Sequence, residues 1–187
     1  MEAFLVSTGL VALAEIGDKT QLLSLVLAAR FQRPWPIVIG ILVATLFNHT
    51  LAGALGAWLT HELGPQLMMR LVGASFIGMA VWALMPDKLD EDAGKGRTRG
   101  GVLGTTSVMF FLAEMGDKTQ VATEALAARY PGLLGFVIAG TTLGMLLANV
   151  PVVFFGDAIA RRVPLAYVRR ATAVFFVVLG VLALVAA

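Results

Sequence analysis

The sequence predicts an all-α integral membrane protein whose six transmembrane helices form two inverted three-helix repeats. Three observations carry that prediction. Of 187 residues, 58% are hydrophobic and only 14% charged, against roughly 25% charged in soluble domains. Apolar stretches approaching the ~20 residues needed to cross a hydrocarbon core recur six times along the chain. The second half also repeats the first at a fixed offset, Glu15 matching Glu114 and Arg30 matching Arg129.

The spans are expected at 3–29, 36–60, 70–86, 102–128, 133–157 and 168–187. The first follows Glu2 without the positively charged stretch of a cleavable signal, so it reads as a retained span. Residues 1–86 make the first repeat and 102–187 the second. Between them, 87–101 is polar, mixed in charge and glycine-containing, the composition of a solvated linker. Absence of cysteine excludes disulfides, thiolate metal sites and cysteine nucleophiles.

The repeat is marked most sharply by Ala14-Glu15-Ile16-Gly17-Asp18-Lys19-Thr20-Gln21 and Ala113-Glu114-Met115-Gly116-Asp117-Lys118-Thr119-Gln120. Similarity continues through Leu27–Phe31 and Leu126–Tyr130, and Asn48 falls near Asn149. A unit with three spans reverses its direction when repeated. The halves are therefore expected to be inverted, a common plan of secondary transporters whose site lies at the repeat interface near the midplane. Basic residues set the orientation. Arg30, Arg33, Lys88, Lys95, Arg97, Arg99, Arg161, Arg162, Arg169 and Arg170 fall on one side, and only Arg70 and Arg129 on the other. The richer side is expected to be cytoplasmic, with both termini outside. The positive charge thus reports orientation, and no nucleic-acid partner is expected.

Each motif places charge where it is costly. An ionised side chain at the bilayer centre costs roughly 2.5–3.5 kcal/mol on insertion scales, so Glu15, Asp18, Lys19, Glu114, Asp117 and Lys118 must face each other, water or an ion. On a continuous helix Glu15 and Asp18 would share a face with Thr8 and Gln21, as would Ser107, Glu114, Asp117 and Gln120 in the second copy. Lys19 and Lys118 would then pair with the glutamates four residues earlier, while Gly17 and Gly116 would admit a neighbouring backbone. Four carboxylates and two ammoniums sum to −2, the charge one divalent cation neutralises. Oxygen donors suit Ca²⁺, Mn²⁺ or Mg²⁺. With the ion gone, crowded acids take protons instead, and that competition is the physical basis of exchange.

Other polar residues are weaker candidates. Asn48 and Asn149 could add amide oxygens but more readily tie helices together. His49 has no repeat partner, and helix packing suits it better than metal ligation. Met115 aligns with Ile16, which makes methionine ligation improbable. Glu124, whose equivalent is Leu25, falls towards the outside and is a candidate for an external proton or cation path. Asp157 reads as a helix-end ion pair with Arg161 and Arg162. Gly140 and Gly144 allow close helix contact, within the bundle or between copies. Neither Gly-x-Ser-x-Gly nor His-Glu-x-x-His occurs, so an intramembrane enzyme is disfavoured. A channel is disfavoured because a closed four-carboxylate site holds an ion too tightly. An exporter of a small organic cation, such as a basic amino acid, is the alternative within transport.

At the doubled Glu-x-Gly-Asp-Lys-Thr the chain resembles uncharacterised protein family 0016, the transmembrane protein 165 family of small cation/proton antiporters, which includes bacterial manganese exporters. The resemblance covers essentially the whole chain. It implies Mn²⁺ or Ca²⁺ as the transported ion, a multi-pass inner membrane location and no resident cofactor. It carries the acidic ligands to Glu15, Asp18, Glu114 and Asp117, the basic position to Lys19 and Lys118, and the hydroxyl to Thr20 and Thr119. The preference for Mn²⁺ rests on this resemblance alone.

Overall fold

A computed structural model describes residues 1–85, 100–156, 165–185 and 187. The described residues form eight helices: α1 (Glu2–Glu15), α2 (Lys19–Phe31), α3 (Pro34–Leu63), α4 (Pro65–Ala83), α5 (Gly101–Glu114), α6 (Lys118–Arg129), α7 (Leu134–Phe155) and α8 (Leu165–Val185). No strand occurs among them. Most of the expected linker and the Asp157–Arg162 segment lie outside the described residues.

The order is short, short, long, long, given twice. Helices α3, Gln66–Ala83 of α4, and α7 are long and apolar enough to cross a membrane. The first expected span is not one helix. It divides into α1 and α2, and the fourth divides in the same way into α5 and α6. At 1.5 Å per residue each half is only about 20 Å long, short of the ~30 Å hydrocarbon core. The third expected span also starts earlier, because Gly64 takes φ 78° and Pro65 opens α4. Proline suits a first helical turn, whose N–H would lack a partner in any case. The sixth begins at Leu165 rather than 168.

The two repeats exchange partners. α1 packs along α7 and α5 along α3, while α4 and α8 pair with each other. Glycine permits the first two contacts. A Cβ on Gly140 would lie 2.6 Å from Phe4 O, and one on Gly144 2.7 Å from Thr8 O. On α3, a Cβ on Gly40 would meet Thr106 Cβ at 2.7 Å. Gly140 and Gly144 therefore serve packing within this chain.

Polarity is inverted relative to a water-soluble protein. Glu15, Asp18, Asn48, His49, Glu114, Asp117, Lys118 and Asn149 are buried, while Leu46, Phe47, Leu51, Val174 and Val178 are exposed. An apolar rim around a polar centre is what a bilayer demands, since unsatisfied polar groups in hydrocarbon cost several kcal/mol. The protein is a membrane protein.

Packing at Gly144 makes a stability prediction. Gly144→Val should lower the melting temperature of the detergent-purified protein, with a cost of about 1–3 kcal/mol from overpacking. Gly104→Ala, where a Cβ meets nothing within 4 Å, should leave it unchanged or slightly raised.

Candidate metal centre

Each motif is a helix stop followed directly by a helix start. Helix α1 ends at Glu15, Ile16 turns extended, and Gly17 adopts φ 81°; in the second copy α5 ends at Glu114, Met115 is extended and Gly116 takes φ 74°. Left-handed backbone favours glycine, which has no Cβ to clash. Asp18 and Asp117 then occupy the N-cap positions of α2 and α6, where aspartate is among the preferred residues. Asp18 N donates to Glu15 O at 3.0 Å and Asp117 N to Glu114 O at 3.1 Å, closing the two turns.

The break overturns three expectations. Glu15 and Asp18 do not share a helical face, because no helix continues between them. Gly17 and Gly116 serve the turn rather than a neighbouring backbone, and a Cβ on Gly116 would meet nothing within 4 Å. Lys19 and Lys118 do not pair with their own glutamates. Lys19 Nζ lies 3.1 Å from Asp117 Oδ1, and Lys118 Nζ contacts Asp18 Oδ1. Each lysine therefore reaches across to the other copy.

The glutamates are held by the motif hydroxyls. Thr119 Oγ1 donates to Glu114 Oε2 at 2.8 Å, and Thr20 Oγ1 donates to Glu15 Oε2. Each threonine thereby occupies one carboxylate oxygen and leaves the other available. Gln21 and Gln120 lock the turns, their Oε1 atoms accepting from Gly17 N at 2.9 Å and Gly116 N at 2.5 Å. They act through the backbone.

Carboxylate oxygens of Glu15, Glu114 and Asp117 lie within 4.8 Å of one another, and all three residues are buried. Glu15 Oε1, Glu114 Oε1 and Asp117 Oδ2 have no hydrogen-bond partner among the described residues. Oxygens left unpaired in a buried cluster are costly unless a cation or protons satisfy them. Asp18, the fourth expected acid, is engaged by Lys118. Beside these two, a cavity of about 10 Å³ walled by Ala14, Gly17, Ala83 and Thr172 has room for roughly one water.

Asn149 ties helices together: its Oδ1 accepts from Ser24 Oγ at 2.8 Å and its Nδ2 donates to Met145 O at 3.1 Å. Asn48 is equally buried, but its Nδ2 has no partner among the described residues. His49 is buried with neither ring nitrogen hydrogen-bonded, and it does not join the acid cluster. Thr8 Oγ1 bonds back to Phe4 O at 2.8 Å, and Ser107 Oγ donates to Gly40 O at 3.3 Å, so neither extends the acidic stripe. Thr172 Oγ1 of α8 donates to Leu13 O at 3.0 Å near the end of α1. That contact had no signal in the sequence, Thr172 lying far from either motif.

This doubled, cross-paired acidic centre coincides with a family assignment. The profile of the divalent cation/proton antiporter GDT1 family matches residues 3–91 and 102–187. The chain belongs to the GDT1 family. Its members are transporters, not enzymes, in line with the resemblance read from the motif. A protein of Vibrio cholerae serotype O1 named "Putative manganese exporter" is 49% identical over 180 residues, covering 96% of this chain and 89% of its own. The GDT1-like protein sll0615 of Synechocystis is 29% identical over 87% of each chain. The GDT1-like protein 5 of Arabidopsis thaliana is 24% identical over 97% of this chain and 94% of its own. No solved structure matches.

Cross-pairing makes the two lysines unequal. Lys118 is 4% exposed and Lys19 27%. Lys118→Met should remove the ammonium that Asp18 contacts and cost about 3–5 kcal/mol, the usual range for breaking a buried pair. Thermal unfolding of Lys118→Met/Asp18→Asn should recover most of that loss, and Lys19→Met alone should cost clearly less.

Proposed function

We propose that this protein exports a divalent cation from the cytoplasm in exchange for protons, with Mn²⁺ as the first substrate and Ca²⁺ the second. The observation that carries this reading is the convergence of Glu15, Glu114 and Asp117, with unpaired oxygens from both motif copies meeting in one buried cluster. Donors that are all oxygen suit a hard cation. Three acids within a few ångströms cannot all stay ionised and empty, so ion and protons alternate as occupants. Carboxylate oxygens gathered within 4.8 Å of one another suit a monatomic ion far better than an amino acid. The name of the 49% identical relative favours Mn²⁺ over Ca²⁺.

In this reading α1 with α2 and α5 with α6 are two broken spans, and the chain is a six-span inverted repeat. The distribution of basic residues supports an orientation with both termini outside and 87–101 in the cytoplasm. Glu15, Asp18, Glu114 and Asp117 form the ion and proton site. Lys19 and Lys118 neutralise the aspartates while the cation is absent. Thr20 and Thr119 aim the glutamates, and Gln21 and Gln120 brace the turns. Alternating access then rocks one repeat against the other about the fixed centre. Discontinuous helices suit the task, since helix C-terminal ends and unwound carbonyls attract cations.

Purified protein in weakly buffered detergent should release protons on addition of Mn²⁺, less on Ca²⁺, and not on lysine. Glu15→Gln and Glu114→Gln should each abolish the release while melting near the wild-type temperature. Unchanged release in both variants would overturn the assignment.

A further inference from the structure

Glu124 departs from the repeat in sequence and in surroundings. Its counterpart on α2 is Leu25, and the segment around it is packed differently. Helix α4 lies against α6, and between α3, α4 and α6 is a cavity of about 150 Å³ that Glu124 lines. The remaining wall is Leu59, Met68, Leu71, Val72, Val121 and Ala125, with Ser75 as its one hydroxyl contributor. Glu124 is half-buried.

The ionisable groups on every neighbouring element lie elsewhere. On α3, His49 is buried apart from this cavity, and His61 and Glu62 are exposed at the helix end. Arg70 of α4 is exposed. On α1, Glu15 sits in the acid cluster, and Glu2 shares a separate cavity with Arg129 and Tyr130. Lys118 is bound to Asp18, and α7 carries no ionisable side chain. A carboxylate facing an apolar cavity, with no compensating cation lining it among the described residues, is poor structural cement, and such residues inside a membrane mark ion or proton routes.

Its position supplies the role. Glu124 follows Asp117 by seven residues on the same helical rod, two turns or about 10 Å further along and on nearly the same face. Val121, which also lines the cavity, lies one turn beyond Lys118. We propose that Glu124 is the outer proton port of the exchange, taking a proton from external water and passing it inward, through water, to the Glu114–Asp117 acids. Its carboxylate is regenerated when that proton leaves. This inference rests on the proposed cation/proton exchange and adds the residue through which the external face supplies protons.

The test is Mn²⁺ uptake by inverted membrane vesicles whose lumen, the face of Glu124, is buffered from acid to alkaline. Glu124→Gln should match wild type at acidic lumenal pH and fall about tenfold below it at alkaline pH, where a positioned carboxylate matters most for collecting protons. Glu124→Asp should restore much of the profile. Mn²⁺-triggered proton release by the purified Glu124→Gln protein should stay at the wild-type amplitude. A profile parallel to wild type, whether undiminished or uniformly lowered, would overturn the proposal. Loss of proton release in Glu124→Gln would also overturn it, by assigning Glu124 to the central site. Loss of release in Glu15→Gln and Glu114→Gln alongside a parallel Glu124→Gln profile would sink this inference alone.

Discussion

Two ion pairs cross between the repeats, Lys19 with Asp117 and Lys118 with Asp18, and the rest of the centre depends on them. They remove two positive and two negative charges from the count and leave Glu15 and Glu114 as the uncompensated pair. Without them four carboxylates would crowd one low-dielectric volume, at a cost that protonation would have to relieve. With them the formal residual charge is −2, which in the proposed exchange one divalent ion would neutralise. Each pair also joins one copy to the other. A change in the relative position of the repeats therefore alters charge at the site directly.

The broken helices make that crossing geometrically possible. On a continuous helix each lysine would lie one turn from its own glutamate and form a local pair. The left-handed glycine turns the chain, and the aspartate starts a new helix. Asp18 and Asp117 then sit at helix N-termini, where partial positive charge favours carboxylates. The glutamates end α1 and α5, with one oxygen each fixed by a threonine. Two chemically similar acids in one motif thus receive different tasks from backbone geometry: the aspartates start helices and pair with lysines, Asp117 also facing the cluster, and the glutamates end helices and turn a threonine-held carboxylate to the cluster.

Much of this was legible in the sequence. The apolar composition and doubled motif pointed to a helical membrane protein, and the cost of intramembrane charge required the two copies to face inward. The helix breaks were missed, though their signals were present: a glycine two residues after the glutamate is a helix-stop pattern, and aspartate before Lys-Thr-Gln is a start. Apolar length outvoted them, because apolar residues flank each motif on both sides and together reach the length of one span. The lysine partners were not legible at all, since pairing across the repeats depends on the packing of α1 on α7 and α5 on α3. Asn149 and its bond to Ser24 fell on the side of helix packing, whereas Asn48, identical in type and near it in the repeat, makes no matching bond among the described residues. Sequence symmetry therefore overstates the symmetry of the fold.

The central claim is that two motif copies build one cation site. Mn²⁺ binding to the purified protein, followed by the loss of the free-ion electron paramagnetic resonance signal, tests it most directly. Wild type should bind one tight Mn²⁺ per chain, and neither Glu15→Gln nor Glu114→Gln should bind any. Two ions per chain, or one ion surviving in each single variant, would mean that each copy binds separately and would contradict it.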